Sequence, residues 1–391
     1  MIVTPLSDRA PAAIRDALLS HGWEGEVCRL TAGGLETASF HVTGLDTSVI
    51  EAMLPVANKL GLEMVTGEDW IVLTGARSRL GAFARPWVQP EPVQALAHAL
   101  GMAMPAERST GWRHARGTLS LEQPVLMGIL NVTPDSFSDG GTATGEVAVL
   151  RRAAWLREGG AAVIDVGGES TAPFAPPVSL EVELARVVPA VAAVAREHPE
   201  LVISVDTVKH EVAKAALDAG AAIVNDVTAG RHDPALLAVA AAHGAGVVLS
   251  HSRGDVGRLA SYDAAEYAGD VAGGVTRELD AARATAIAAG LAMEQIVLDP
   301  GFGFAKHPEQ NIALLDQVNA LVALGSPVLI GASRKRFLGE VTGRALEDRD
   351  RATAAACALA LDRGARLFRV HDPEATRDAL AIAEALWRSR Q

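Results

Sequence analysis

Residues 125–141 read VLMGILNVTPDSFSDGG. Val125 to Leu130 form an apolar run of strand length, which stops at Asn131. The residues that follow are polar, contain Pro134 and end in Gly140-Gly141, so a buried strand feeds a long loop. Asn131, Thr133, Asp135, Ser136, Ser138 and Asp139 supply an amide, hydroxyls and carboxylates, and Phe137 is the one large apolar group among them. Taken alone, the stretch reads as an exposed connector as readily as a binding loop. The rest of the chain decides, because the arrangement recurs.

Further apolar runs of strand length are AAVIDV (161–166), LVISV (201–205), AAIV (221–224), GVVL (246–249), QIVL (295–298), PVLI (327–330) and ARLFRV (365–370). Ala-rich helical segments such as EVELARVVPAVAAVARE, KHEVAKAALDAG and DPALLAVAAAHG separate them. Strands alternating with helices predict right-handed βαβ units and a parallel sheet. Eight units in roughly 265 residues match a closed (β/α)8 TIM barrel. A doubly wound open sheet is the competing fold; it wants a Gly-rich turn after its first strand, and Asn131-Val132-Thr133-Pro134 is not one.

Residues 1–112 read as a small N-terminal α/β domain preceding a barrel of residues 113–391. PAAIRDALLSHG has helical spacing, TASFHVTGL reads as a strand and TSVIEAMLPVANKLG as a helix with a glycine stop. LEMVTGEDWIVLTG reads as two strands around a Gly-Glu-Asp turn, and PVQALAHALGMA as a last helix before a polar stretch from Arg108 to Arg116. No catalytic constellation appears here, and docking or oligomerisation is the expected role.

Composition narrows the function. The chain has 391 residues, 49% hydrophobic and 4% aromatic, which implies a core of Ala, Val, Leu and Ile suited to buried parallel strands. A net charge of -12 argues against nucleic-acid and anionic-membrane partners, which need clustered Lys and Arg. Cys28 and Cys357 match no metal spacing and read as free thiols in a reducing compartment. No uncharged apolar stretch is long enough to span a membrane, and no basic leader precedes an apolar segment, so a cytoplasmic protein is expected.

Each barrel strand is followed by residues that are costly to bury unpaired: Asn131; Asp165 and Gly167-Gly168-Glu169-Ser170-Thr171; Asp206-Thr207; Asn225-Asp226; Ser250 to Gly254; Asp299 to Phe304; Ser333-Arg334-Lys335; Arg369 and His371. Singly these have plain explanations: Asp206 as a helix cap, Asp299 as a turn former, His371 as a core histidine. In a barrel all the ends meet at one mouth, so one polar pocket accounts for them together. Asp206, Asn225, Asp299 and Lys335 suit a flat heterocycle with ring N–H and C=O edges. Arg369 and His371 precede a helix beginning Asp372-Pro373-Glu374, and two cations there make an anion site suited to phosphate. Asn131 offers a neutral oxygen to a Mg²⁺ bridging phosphate oxygens.

NVTPDSFSDGG, DVGGEST, SVDT, DPGFGF, SRK and RVHD, in that order, resemble the motifs of the dihydropteroate synthase family, the folate-pathway enzymes that sulfonamides target. The resemblance covers about residues 120–391. It implies a transferase on a pterin-binding TIM barrel that joins 6-hydroxymethyl-7,8-dihydropterin pyrophosphate to p-aminobenzoate and releases pyrophosphate. It implies that Asp206, Asn225, Asp299 and Lys335 hold the pterin with Phe304 beside it, and that Asn131, Arg369 and His371 take the pyrophosphate and its Mg²⁺. Thr171, Pro173, Phe137 and Ser333 would form the p-aminobenzoate site, and Asp206, Lys335 and Asn131 would carry the catalysis. Partners are then small molecules, with a homodimer as the expected assembly.

The chain departs from that pattern at four places. Ala172 stands where the family usually has Arg, Phe174 replaces a usual Gly, Ser250 and Ser252 flank His251 where Met is frequent, and Ala305 replaces the Gly after DPGFGF. Two other readings stay open. A pterin-dependent methyltransferase on the same barrel would share the pterin residues without needing the 131–141 loop or the RVHD anion site. A non-catalytic pterin-binding protein has Ala172 as its support.

Overall fold

The computed structural model describes residues 2–6, 37–84, 89–103, 110–132, 145–169 and 178–389. Two compact units divide at Ala106 and Glu107.

The first unit is an antiparallel four-stranded sheet ordered β1-β2-β4-β3: β1 Ile2–Leu6, β2 Thr37–Thr43, β3 Glu63–Thr66 and β4 Trp70–Ala76. Helices Thr47–Leu60, Arg77–Phe83 and Glu91–Ala103 accompany it. The first of these buries Ile50, Met53, Val56 and Ala57, a helical stripe that meets Phe40, Val42, Ile71, Leu73 and Phe83 in one core. It ends at Gly61, whose φ of 63° is the left-handed cap expected from sequence. Arg77–Phe83, too short for its periodicity to register, was not anticipated. The helix read over PAAIRDALLSHG lies outside the described residues, as does Cys28.

The second unit opens with a hairpin, β5 Gly111–His114 and β6 Gly117–Ser120. Eight parallel strands follow: β7 Val125–Asn131, β8 Ala161–Gly167, β9 Val202–Asp206, β10 Ile223–Asp226, β11 Gly246–Ser250, β12 Ile296–Asp299, β13 Leu329–Ile330 and β14 Leu367–Val370. They pair in the order β12-β11-β10-β9-β8-β7-β14-β13, and a parallel bridge from Leu298 to Val328 brings β12 against the chain entering β13. That is the eight-stranded TIM barrel, with helices outside every strand. β13 is shorter than the PVLI run, because Pro327 has no N–H to donate to a ladder.

The hairpin occupies the polar stretch that the sequence places at the domain boundary. It belongs to the barrel. Trp112 is fully buried and closes the end where the strands begin, packed with Val125, Met127, Ile223, Val248, Leu329 and Leu367. Its Nε1–H donates to the Gln295 carbonyl (2.9 Å), and Arg113 donates to the Gln295 side chain (2.9 Å). Gly246 must be glycine, because a Cβ there would lie 2.9 Å from the Trp112 Nε1. With that end plugged, only the opposite end of the barrel is available to a ligand.

Candidate active site

Strand register sets the site. Asn131 pairs with Gly167, Gly167 with Asp206, and Asp206 with Asn225, so the last residues of β7, β8 and β9 and the next-to-last residue of β10 stand in one row at the barrel mouth. Asp165 is two residues before Gly167 and therefore on the same face. Across the barrel, Ser250 pairs with Asp299. A cavity of about 620 Å³ opens above, lined by Asn131, Glu169, Asp206, Gly303, Lys306, Ser333, Arg334, Lys335, Arg369 and His371 among others. Asn225 and Asp299 are buried and lie outside that lining.

Arg369 sits between two carboxylates. Its Nε donates to Asp165 Oδ2 and its Nη2 to Asp206 Oδ2, each at 2.6 Å, and Asn225 Nδ2 also donates to Asp165 Oδ2 (3.0 Å). Sequence alone assigns Arg369 to phosphate; in the structure it bridges Asp165 and Asp206. Burial pushes the Asp206 carboxyl up to about 7, against the pull of Arg369 and with the charge of Asp165 adding to the rise. Three buried polar atoms on neighbouring strands, Asp165 Oδ1, Ser204 Oγ and Asn225 Oδ1, have no hydrogen-bond partner among the described residues. Leaving each unsatisfied costs about 1–3 kcal/mol, so the barrel floor favours a ligand with polar edges.

Asp299 is fixed more fully. The Gly301 N–H donates to its Oδ1 (2.7 Å) and Ser250 Oγ to its Oδ2 (3.2 Å), while burial raises its pKa. Lys335 Nζ lies 3.8 Å from the Phe304 ring, a cation–π contact. Burial, aided by Arg369, lowers the Lys335 pKa to about 8. Gly303, at φ 76°, leaves the room Lys335 needs, since a Cβ there would approach its Cδ to 2.9 Å. Ala305 takes φ 46°, a left-handed conformation that explains why glycine suits that position.

His371 corrects the count of cations at the RVHD end. Burial and the charges of Arg369, Arg334 and Arg152 hold its pKa down at about 3, so the ring is neutral. Ser333 Oγ accepts from the His371 backbone N–H (3.1 Å) and faces Nδ1 at 3.0 Å, which fits a serine donating to Nδ1 and leaves the ring proton on Nε2. The N-terminus of helix Pro373–Arg388 is capped by Asp372, which accepts from Ala375 N–H. Between Ser333 and Lys335, Arg334 has φ 58° and is anchored by a two-pronged bond to Asp350 (2.8 and 2.7 Å).

Asn131 is exposed at the end of β7. Its amide oxygen is the kind of hard donor Mg²⁺ accepts, and with one such group the remaining ligands would be phosphate oxygens and water. A separate cluster, His210, Glu211 and Asp233, lies away from the cavity lining, and His210 Nδ1 is already bonded to Asp233 (2.7 Å). Thr171, Pro173 and Phe137, like Ala172 and Phe174, lie outside the described residues; of the expected p-aminobenzoate group only Ser333 is described.

Two groups carry no signal in the sequence. Lys209 Nζ reaches Glu169 Oε2 (2.8 Å), Glu183 Oε2 (2.5 Å) and the Val178 carbonyl (3.0 Å), while Thr207 donates to Glu183 (2.6 Å). These bonds tie Glu169 and Val178 to the end of β9. Lys306 is buried behind the Asp299–Ala305 turn. A lysine placed inside a helix-forming run or just after a motif carries no sequence signal of such partners.

A family model described as "Pterin binding enzyme" matches residues 127–371. A dihydropteroate synthase of Synechocystis sp. is 43% identical over 269 residues, covering 68% of this chain and 91% of that protein. One from Streptococcus pyogenes is 42% identical over 265 residues, covering 67% and 95%. Among solved structures, Xanthomonas albilineans dihydropteroate synthase with 4-aminobenzoic acid has a TM-score of 0.65 at 44% identity, covering 71% of this chain and 98% of that one. The same enzyme with 7,8-dihydropteroate has a TM-score of 0.63 at 42% identity, covering 70% and 98%.

Proposed function

The chain belongs to the dihydropteroate synthase family of pterin-binding enzymes, and from that premise we propose how its own residues carry the reaction. The enzyme is a transferase that joins 6-hydroxymethyl-7,8-dihydropterin pyrophosphate to p-aminobenzoate, giving 7,8-dihydropteroate and pyrophosphate in folate synthesis. The observation that carries the residue assignment is the row of unsatisfied polar atoms on the barrel floor beside Asp206 and Asn225.

In this reading Asp206, Asn225, Asp299 and Lys335 grip the pterin edge, and Phe304 lies beside the ring. Asp206, whose carboxyl burial raises to about 7, becomes a full carboxylate when pterin N–H groups donate to it. The bond between the pterin methylene carbon and the diphosphate oxygen breaks, and the electron pair leaves with pyrophosphate. The electron-rich ring spreads the charge left on the methylene, and the Asp206 carboxylate favours it. The neutral arylamine nitrogen attacks that carbon and then loses its proton to solvent, so no strong base is required. Asn131 and His371, the latter through its Nε2–H, receive the departing diphosphate, and Arg369 can add only the part of its guanidinium that its bonds to Asp165 and Asp206 leave at the cavity. Asn131 would help to hold Mg²⁺, which would supply charge neutralisation at the leaving group. Ser333 forms part of the p-aminobenzoate site.

We also propose a cytoplasmic homodimer. The free, buried Cys357 is in keeping with a reducing compartment. Leu359, Ile382 and Leu386 are exposed on helices Asp350–Asp362 and Pro373–Arg388, an apolar surface that a second copy would cover. Among the described residues, no helix is long and apolar enough to cross a membrane.

The test is steady-state turnover of the purified protein with both substrates, with and without Mg²⁺, beside Asp206→Ala. Removing one partner of the buried pair costs about 2–5 kcal/mol, so turnover falls to background while circular dichroism is unchanged. Near-normal turnover by the variant would overturn the role given to Asp206.

A further inference from the structure

We infer that Lys306 is a positioning residue for the pterin pocket: its ammonium, aimed by a Glu278–His251 pair, holds the Gly301–Phe304 turn in the shape that sets the Phe304 ring against Lys335. The inference rests on the pterin reading of the site.

The turn after β12 is a difficult piece of backbone. Gly301, Gly303 and Ala305 take φ of 68°, 76° and 46°, so left-handed residues alternate with ordinary ones. The Gly301 carbonyl accepts from the Phe304 N–H (3.1 Å), and the turn lies outside any helical or sheet ladder. Lys306 supplies further donors. Its Nζ donates to the Gly301 carbonyl and the Phe304 carbonyl, both at 3.0 Å, and meets His251 Nδ1 at 3.0 Å. In its charged form all three ammonium protons are thus used, by a side chain only 1% exposed whose pKa burial lowers to about 7.

The third contact fixes the histidine. Nδ1 accepts from an ammonium only when the ring proton is on Nε2, and Nε2 faces Glu278 Oε2 at 3.0 Å. Burial and the charge of Lys306 keep His251 neutral, which fits a ring that accepts on one side and donates on the other. Glu278 is in turn held by Arg253, whose Nε donates to Oε2 (3.2 Å). Arg253 stacks over the Tyr267 ring at 3.9 Å, and the Tyr267 hydroxyl donates to the Ala305 carbonyl (3.1 Å). Two side chains therefore serve the carbonyls of Gly301, Phe304 and Ala305, and both lead back to Glu278. Gly303, inside this turn, is the residue whose missing Cβ admits Lys335. Movement of the turn is transmitted directly to Phe304 and to the Lys335 side chain, whereas the Ser333 hydroxyl is bonded to His371 and not to the turn.

The experiment measures binding of 7,8-dihydropteroate by calorimetry to the full-length protein, and the KM of each substrate, for the parent, Lys306→Met, Glu278→Gln and the double variant. Loss of charge-assisted bonds at Lys306 weakens pterin-side binding about tenfold or more, with the KM for p-aminobenzoate changed less than about twofold. Glu278 is 41% exposed and its variant is expected to fold. It should lose about threefold through the histidine, and the double variant should be no worse than Lys306→Met, because both act along one chain of contacts. Equal losses for both substrates, or pterin-side affinity within about twofold of the parent in Lys306→Met, would overturn the inference. If Lys306→Met does not fold, unchanged pterin-side affinity in Glu278→Gln overturns it. A parent protein that binds no dihydropteroate would overturn the functional reading itself.

Discussion

Replacing Arg369 with Gln would test the electrostatic logic of the barrel floor. Asp165 is completely buried, the Asp206 side chain is 10% exposed, and the guanidinium between them is 19% exposed. The substitution removes two bonds of 2.6 Å and leaves two carboxylates facing each other with little solvent. Breaking a buried ion pair by deleting one partner costs about 3–5 kcal/mol, a large share of a domain's stability. The pH dependence follows from Asp206. Its folded pKa, about 7, is above its ordinary value of 3.8, so between those limits the folded state binds more protons than the unfolded state. Its contribution to stability therefore falls as pH rises through that window. Arg369 pulls that pKa down, so removing it extends the window upward. The part of the deficit due to Asp206 should be larger at about pH 8 than at about pH 5.5, where the carboxyl is protonated in the folded variant. Urea unfolding of parent and variant at the two pH values measures this. A variant within about 1 kcal/mol of the parent at the higher pH, or a larger deficit at the lower pH, would refute the assignment of Arg369 as the shared counter-ion.

Two further predictions concern other links. A chain starting at Glu107 should keep turnover, whereas one starting at Arg113 lacks Trp112; Trp112→Ala should lower stability by about 3–5 kcal/mol with the KM of either substrate unchanged, and a shift in KM would contradict its purely structural place. The profile of kcat/KM for the pterin substrate should rise with Asp206 ionisation near pH 7 and fall as Lys335, lowered by burial to about 8, loses its proton. An upper limb that stays near the ordinary lysine range would contradict the burial of Lys335.

The barrel was legible because its strands are short apolar runs that end abruptly in polar residues. Asn131, Asp206, Asn225 and Asp299 each occupy the last or next-to-last position of a strand, where period and fold together dictate direction. What was not legible depended on partners distant in sequence. Arg369 looked like a free cation, because nothing near it reveals Asp165, which is 204 residues away. Lys306 stands just after a motif with nothing beside it to mark a role, and its acceptors include a histidine 55 residues earlier. GWRHARGTLS has too few apolar residues to announce a strand pair, and its role depends on one tryptophan entering the barrel. His371 was counted as charged from its type, and burial among arginines decides otherwise.

The closing of the barrel has a consequence for how this chain is made. β7 is an early strand, yet one of its edges pairs with β14, so Met127 waits for Arg369. Trp112 likewise has no acceptor until Gln295 exists. A polypeptide emerging from the ribosome therefore carries an unpaired parallel edge and an exposed tryptophan through most of its synthesis. Parallel pairing at such separation is slow, and an unpaired edge is a template for other chains. The final segment is thus a latch: Arg366 bonds the Leu121 carbonyl (3.0 Å) and Glu384 (2.7 Å), fastening the last strand and helix to the chain that enters the first. Nascent chains that stop short of this latch are the ones a cell's chaperones would have to hold.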